Sequence, residues 1–80
     1  MTNPMLRIRQ VMQQTGYSRS TLYDYIQRGL FPAPVKMGER VSAWPAREIS
    51  AITAARTAGK PARELLALVK TLHAQRQASA

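Results

Sequence analysis

Glycine and proline divide this chain into short pieces. Gly16, Gly29 and Gly59 each follow a run with helical spacing. Pro32, Pro34, Pro45 and Pro61 stand where a helix cannot continue or where one can begin. The fold must therefore be a small assembly of short helices and strands. At 80 residues it is one domain, in which most apolar side chains are needed inside. There is no cysteine, so neither a disulfide framework nor a cysteine zinc site braces it. That usage fits a reducing compartment.

The pieces can be read in order. Residues 5–8 form a short extended lead-in. Residues 9–15 read as a helix, with Ile8, Val11 and Met12 at i, i+3, i+4 and Gly16 ending it. Ser18 is an N-cap whose hydroxyl can accept from the amide of Ser20 or Thr21. Tyr17 and Leu22 sit where a hydrophobic staple forms. The second helix is expected over 19–28, stopping at Gly29. Helix, tight glycine turn and capped helix together spell a helix-turn-helix.

Pro32 and Pro34 then hold the chain extended. Val35 and Met37 alternate with Lys36, and Val41 and Ala43 alternate with Ser42. Gly38-Glu39 between them suits a tight turn with φ > 0 at Gly38, which predicts a two-stranded wing. Trp44, at the end of the wing, reads as the plug of the core. Pro45 opens a helix over 46–57, with Ile49, Ile52 and Ala55 on one side. Ala58-Gly59-Lys60 breaks it, and Pro61 opens a last helix to about His73 or a little beyond. The expected fold is mainly α with a small β-hairpin. A winged helix-turn-helix spans residues 1–59. A C-terminal helix and short polar tail over 60–80 either belongs to the same domain or serves association.

Charge points to the partner. Twelve Lys/Arg oppose four Asp/Glu, for a net +8 and a pI near 11.2. Residues 1–44 and 45–80 each carry six basic and two acidic groups, so the excess belongs to the folded body rather than to a tail. Such a field attracts polyanions, phosphate backbones above all. The start, MTNPMLRIRQ, lacks the apolar run of a signal peptide, and LLALV is too short to span a bilayer. No enzyme is expected. Asp24, Glu39, Glu48 and Glu64 are scattered and read as surface groups, the single histidine has no evident nucleophile, and no metal cluster or cofactor motif appears.

The second helix carries the chemistry. Leu22 and Ile26 share one face, with Tyr25 beside them as a core residue, while Arg19, Ser20, Tyr23 and Gln27 lie elsewhere. A helix about 15 Å long can place its N-terminal half in a major groove. Arg19 can give two parallel bonds to guanine O6 and N7, and Gln27 can read adenine. Ser20 and Thr21 can donate to phosphates, helped by amides at the helix N-terminus, and Tyr23 can donate to a phosphate or pack on a thymine methyl. Arg28 is a further contact candidate and the partner of Asp24 four residues before it. On the wing, Lys36 and Arg40 can meet the backbone or the minor groove. The competing reading makes these residues a solvated helix face, and lets Arg40 pair with Glu39 or Glu48 at the surface.

The run TGYSRSTLYDYIQRGLFPAPVKMGERVSAWPAREI resembles the AlpA family of phage and prophage regulators, which are small winged-helix proteins related to the MerR-like group. The hallmarks are SRSTLY, GLFPAPVKMG, Arg40, Trp44 and Glu48-Ile49, within about residues 5–57. The resemblance implies sequence-specific DNA binding in transcription control or, as in related phage proteins, an excisionase that bends DNA for an integrase. It implies that Arg19, Ser20, Thr21 and Tyr23 lie in the recognition helix and Lys36 and Arg40 in the wing. The chain departs from the pattern at Ile52, about where many members carry tryptophan, and everything after Gly59 lies outside it.

The last helix offers Ala62, Leu65, Leu66, Leu68, Val69 and Leu72 over an arc of about 160°. That width favours packing on the domain. The 3-4-3 spacing of Ala62, Leu65, Val69 and Leu72 also allows a short coiled-coil seam. His73 reads as a boundary residue. The expected partner is double-stranded DNA, with a homodimer through this helix or on DNA, and an integrase or RNA polymerase, as further candidates. No membrane and no cofactor is expected, and the location is expected to be cytoplasmic, at the nucleoid.

Overall fold

The computed structural model describes residues 4–78; residues 1–3 and the last two of the polar tail lie outside it. The described chain runs β1 (Met5–Leu6), α1 (Ile8–Thr15), α2 (Arg19–Gln27), β2 (Val35–Lys36), β3 (Ser42–Pro45), α3 (Ala46–Thr57) and α4 (Ala62–Ala78). It is mainly helical, with a small antiparallel sheet, and has the winged helix-turn-helix architecture that the spacing implied.

Local chemistry sets the ends of the first helices. Gln10 Oε1 accepts from the Arg7 amide at 2.9 Å at the start of α1. Gly16 takes φ 78° and returns its amide to Met12 O at 2.8 Å, a left-handed cap that a side chain would strain. Ser18 caps α2 as expected, accepting from the Thr21 amide at 3.2 Å. At the far end Gly29 has φ 76°, and Leu30 N and Gly29 N bond back to Tyr25 O and Ile26 O, a Schellman ending. A Cβ on Gly29 would also lie 3.0 Å from Leu66 Cδ2, so this turn touches α4 closely.

Two details of the wing differ from expectation. The sheet has three strands in the order β1-β3-β2, because the lead-in pairs as well: Met5 faces Pro45 and Leu6 faces Trp44. On the other side Val35 faces Ala43 and Lys36 faces Ser42. The hairpin turn does not use a positive φ at Gly38. Met37 N bonds Val41 O at 2.7 Å across Gly38, Glu39 and Arg40, and this wider loop needs no left-handed residue there.

The core gathers one or two residues from nearly every element. Leu6, Val11, Leu22, Phe31, Trp44, Ile49, Ile52, Leu65 and Val69 form one buried cluster, with Trp44, Val11, Leu22 and Ile52 fully covered. Ile52 thus fills an interior position. The linker from α2 to β2 is tied from three directions. Trp44 Nε1 donates to Pro32 O at 2.7 Å, Arg56 Nη2 to Leu30 O at 2.6 Å, and Arg76 Nη2 to Ala33 O at 2.6 Å. These bonds fix the wing relative to α2.

The last helix runs past His73 to Ala78, and it packs back on the domain. Leu65, Val69 and Leu72, three of the four seam positions, are buried within the chain, whereas Ala62 is exposed. Glu48 is not a surface group, and it is not the partner of Arg40. It is fully buried, and Arg76 from α4 grips it with a fork: Nε to Oε2 at 2.8 Å and Nη2 to Oε1 at 2.5 Å. Sequence reading placed it outside because its partner lies 28 positions away. Asp24 and Arg28 do pair as expected, at 3.2 Å on the surface.

His73 is more than a boundary residue. Its Nε2 accepts from the Ala33 amide at 3.1 Å, which requires that nitrogen to be unprotonated. Burial pushes its pKa below the ordinary 6.5, and the Arg76 guanidinium lowers it further against an opposing pull from Glu48. The unfolded chain therefore takes up the proton first as pH falls. The His73 contribution is held above pH 6.5 and lost on acidification below it. Urea unfolding midpoints should drop between about pH 7 and 5 by this linkage. His73→Gln, which keeps an acceptor but cannot titrate, should flatten that window. An equal drop in the variant would place the titration on other groups.

Candidate nucleic-acid interface

The glycine turn at Gly16 and the Ser18 cap project the start of α2 away from the core, because Leu22 anchors the opposite face. Arg19, Ser20 and Gln27 are exposed, and Tyr23 is 41% exposed although aromatic. Thr21 is half-buried and engaged in the cap: its amide donates to Ser18 Oγ, and its Oγ1 accepts from the same hydroxyl at 2.9 Å. That amide is therefore not free for a phosphate. Tyr25 turns inward as expected and packs against the core.

A groove of about 180 Å³ opens beside this helix, lined by Arg7, Ile8, Arg19, Tyr23, Arg40, Ser42 and Trp44. It joins α2 to the wing. Of the expected site residues it brings Arg19, Tyr23 and Arg40 together. Ser20, Thr21, Gln27, Arg28 and Lys36 do not line it, although all but Thr21 are exposed. Arg28 is committed in part to Asp24. Among the lining residues outside the expected set, Arg7 is the cation that sequence reading missed. It precedes the first helix and carries no motif, and what placed it here is the pairing of β1 with β3.

A second hollow of about 210 Å³ is lined by Thr15, Tyr17, Phe31, Thr53, Arg56 and Thr57. Its cation is engaged through its face and one terminal nitrogen, while Arg56 Nε is buried without a hydrogen-bond partner. The Arg56 guanidinium sits over the Tyr25 ring at 4.6 Å and the Tyr17 ring at 5.6 Å and donates to Leu30 O. Tyr17 and Tyr25 meet edge to face at 5.3 Å. This arrangement braces the helix-turn-helix against α3. Among the described residues no group of three or more His, Asp and Glu is placed to hold a metal, and no helix is long and apolar enough to cross a membrane.

A capped helix behind a glycine turn, a wing beside it and a basic groove between them define a small protein of the winged helix-turn-helix class. The chain belongs to the family described as Prophage CP4-57 regulatory protein (AlpA), whose pattern matches residues 4–57. It is also similar to an uncharacterised protein, ORF88, of Enterobacteria phage P4, at 44% identity over 55 residues. That match covers 69% of this chain and 62% of the phage protein, so it spans less than two thirds of the relative's length. No solved structure gives a significant match. The chain is thus of a phage regulatory type, and α4 lies beyond the residues that define the family.

Proposed function

We propose that this protein is a sequence-specific DNA-binding regulator of transcription, of phage or prophage type. The N-terminal half of α2 enters the major groove and the wing rests on the backbone or the minor groove. One observation carries the reading: Arg19 and Tyr23 of α2 and Arg40 of the wing line a single exposed groove on a chain of net charge +8. A merely solvated helix face would not need the wing's arginine beside it. Arg19 reads guanine. Ser20, Tyr23, Gln27, Arg28 and Lys36 supply flanking contacts, and Thr21 acts through the cap that shapes the helix start. We take α4 as part of the same folding unit, and no cofactor takes part.

Selection from a random duplex library near physiological salt tests this. A defined motif is expected for the wild type. Arg19→Ala should cost roughly 1–3 kcal/mol on that motif and blur one base position. Arg40→Ala should weaken all duplexes evenly and lower the salt slope by about one. Identical losses on selected and random DNA for both variants would remove the distinction between reader and clamp. Strong bending of the selected duplex in a permutation gel would move the role from promoter control to excision.

A further inference from the structure

The chain has four carboxylates, and the fold commits three of them away from the groove. Asp24 pairs with Arg28, Glu64 with Lys60, and Glu48 is buried against Arg76. The fourth, Glu39, is exposed at the wing tip, and it neither lines the groove nor forms an ion pair among the described residues. Yet three arginines from three separate parts of the chain line the groove: Arg7 ahead of α1, Arg19 at the first turn of α2 and Arg40 on the wing. No ion pair among the described residues involves any of them. Gathering like charges without a counter-charge is unfavourable in the free protein. A cleft lined by one sign concentrates the field for an anion. Tyr23 and Ser42 line the same hollow, and each carries a hydroxyl able to donate to an oxyanion.

We infer that this groove is a seat for one backbone phosphate of duplex DNA, with Arg7 and Arg40 as its clamp. Resting on the DNA-binding reading, the inference adds a residue and a job to it. A phosphate held between the α1 lead-in and the wing fixes how α2 sits, and so the register in which Arg19 meets the bases. Arg7 then contributes affinity without sequence preference, as phosphate contacts do.

The test uses the full chain and the duplex recovered by selection. Arg7→Gln should lower the slope of log affinity against log salt by about 0.9, so that the loss between 50 and 200 mM salt shrinks by about 3.5-fold. The selected motif should stay unchanged. Arg63→Gln removes one exposed charge on α4 and should leave the slope nearly as it was. A scan with neutral methylphosphonate linkages should find one position where the wild type loses affinity and Arg7→Gln loses clearly less, the remaining loss being the share of Arg40. Wild-type binding with no such position, or Arg7→Gln matching wild type throughout, would overturn the seat while leaving the DNA reading intact. Failure of the wild type to bind any duplex would overturn both. Saturable inorganic phosphate shifts of the Arg7 Nε resonance, with DNA affinity indifferent to Arg7, would assign the groove to a free anion instead.

Discussion

Arg76→Ala is expected to remove about 3–5 kcal/mol of stability, read as a fall in the urea unfolding midpoint. The reason is what it leaves behind. Glu48 has no exposed surface, and its two oxygens are both held by the Arg76 fork. Without the guanidinium the carboxylate must stay charged in a dry site, take up a proton, or break open the packing between α3 and α4. The Ala33 carbonyl loses its bond at the same time. A domain of this length is stable by roughly 4–12 kcal/mol, so the variant should sit near the edge of folding. Glu48→Gln alone should cost less, because an amide can still accept from Arg76. Pairing Arg76→Leu with Glu48→Met should recover much of the loss, since apolar residues of similar volume often replace buried ion pairs without penalty. A loss below about 1 kcal/mol for Arg76→Ala would mean that water reaches Glu48 and shares the load.

Trp44→Ala should be comparably severe, at about 3–5 kcal/mol. Trp44 is the largest fully buried side chain, and it pairs with Leu6 of the first strand. Its removal opens a cavity beneath the groove, which it lines together with Arg7, Arg19 and Arg40. Trp44→Phe should cost less, roughly 1–3 kcal/mol, mainly through the unpaired Pro32 carbonyl and the smaller ring. Thermal unfolding followed by far-ultraviolet circular dichroism would check both without depending on indole fluorescence. If Phe proved as damaging as Ala, the Nε1–Pro32 bond would outweigh the packing, and the linker would be the more sensitive element.

The parts that were legible in the sequence share a property: their signals are local. The Ser18 cap, the glycine endings at Gly16, Gly29 and Gly59, the alternation around the wing and the Trp44 plug each rest on residues a few positions apart. The parts that were not legible depend on contacts between distant segments. β1 is two residues long, and its pairing with β3 joins segments far apart in the chain, so nothing nearby announces it. Glu48 stands at the first turn of α3, where an acid commonly faces solvent and favours the helix dipole. Its burial depends on Arg76, at the other end of the chain's second half. The Gly38 turn misled because a Gly-Glu pair permits a tight hairpin without requiring one. Within the candidate site, Arg19, Tyr23 and Arg40 could be named from helix face and wing position. Arg7 could not, since the strand that carries it to the groove was itself invisible.

The Arg76–Glu48 fork has a consequence for genetics. The residue on which a buried acid depends stands well beyond residues 4–57, the stretch that defines the family. A nonsense mutation at codon 76 would spare every residue that lines the groove and the whole matched region, yet its phenotype should be that of a null allele. Chimaeras that exchange the first 57 codons between relatives would meet the same obstacle. Their success should track whether the recipient's tail supplies a cation to the acid in α3, rather than how alike the two heads are.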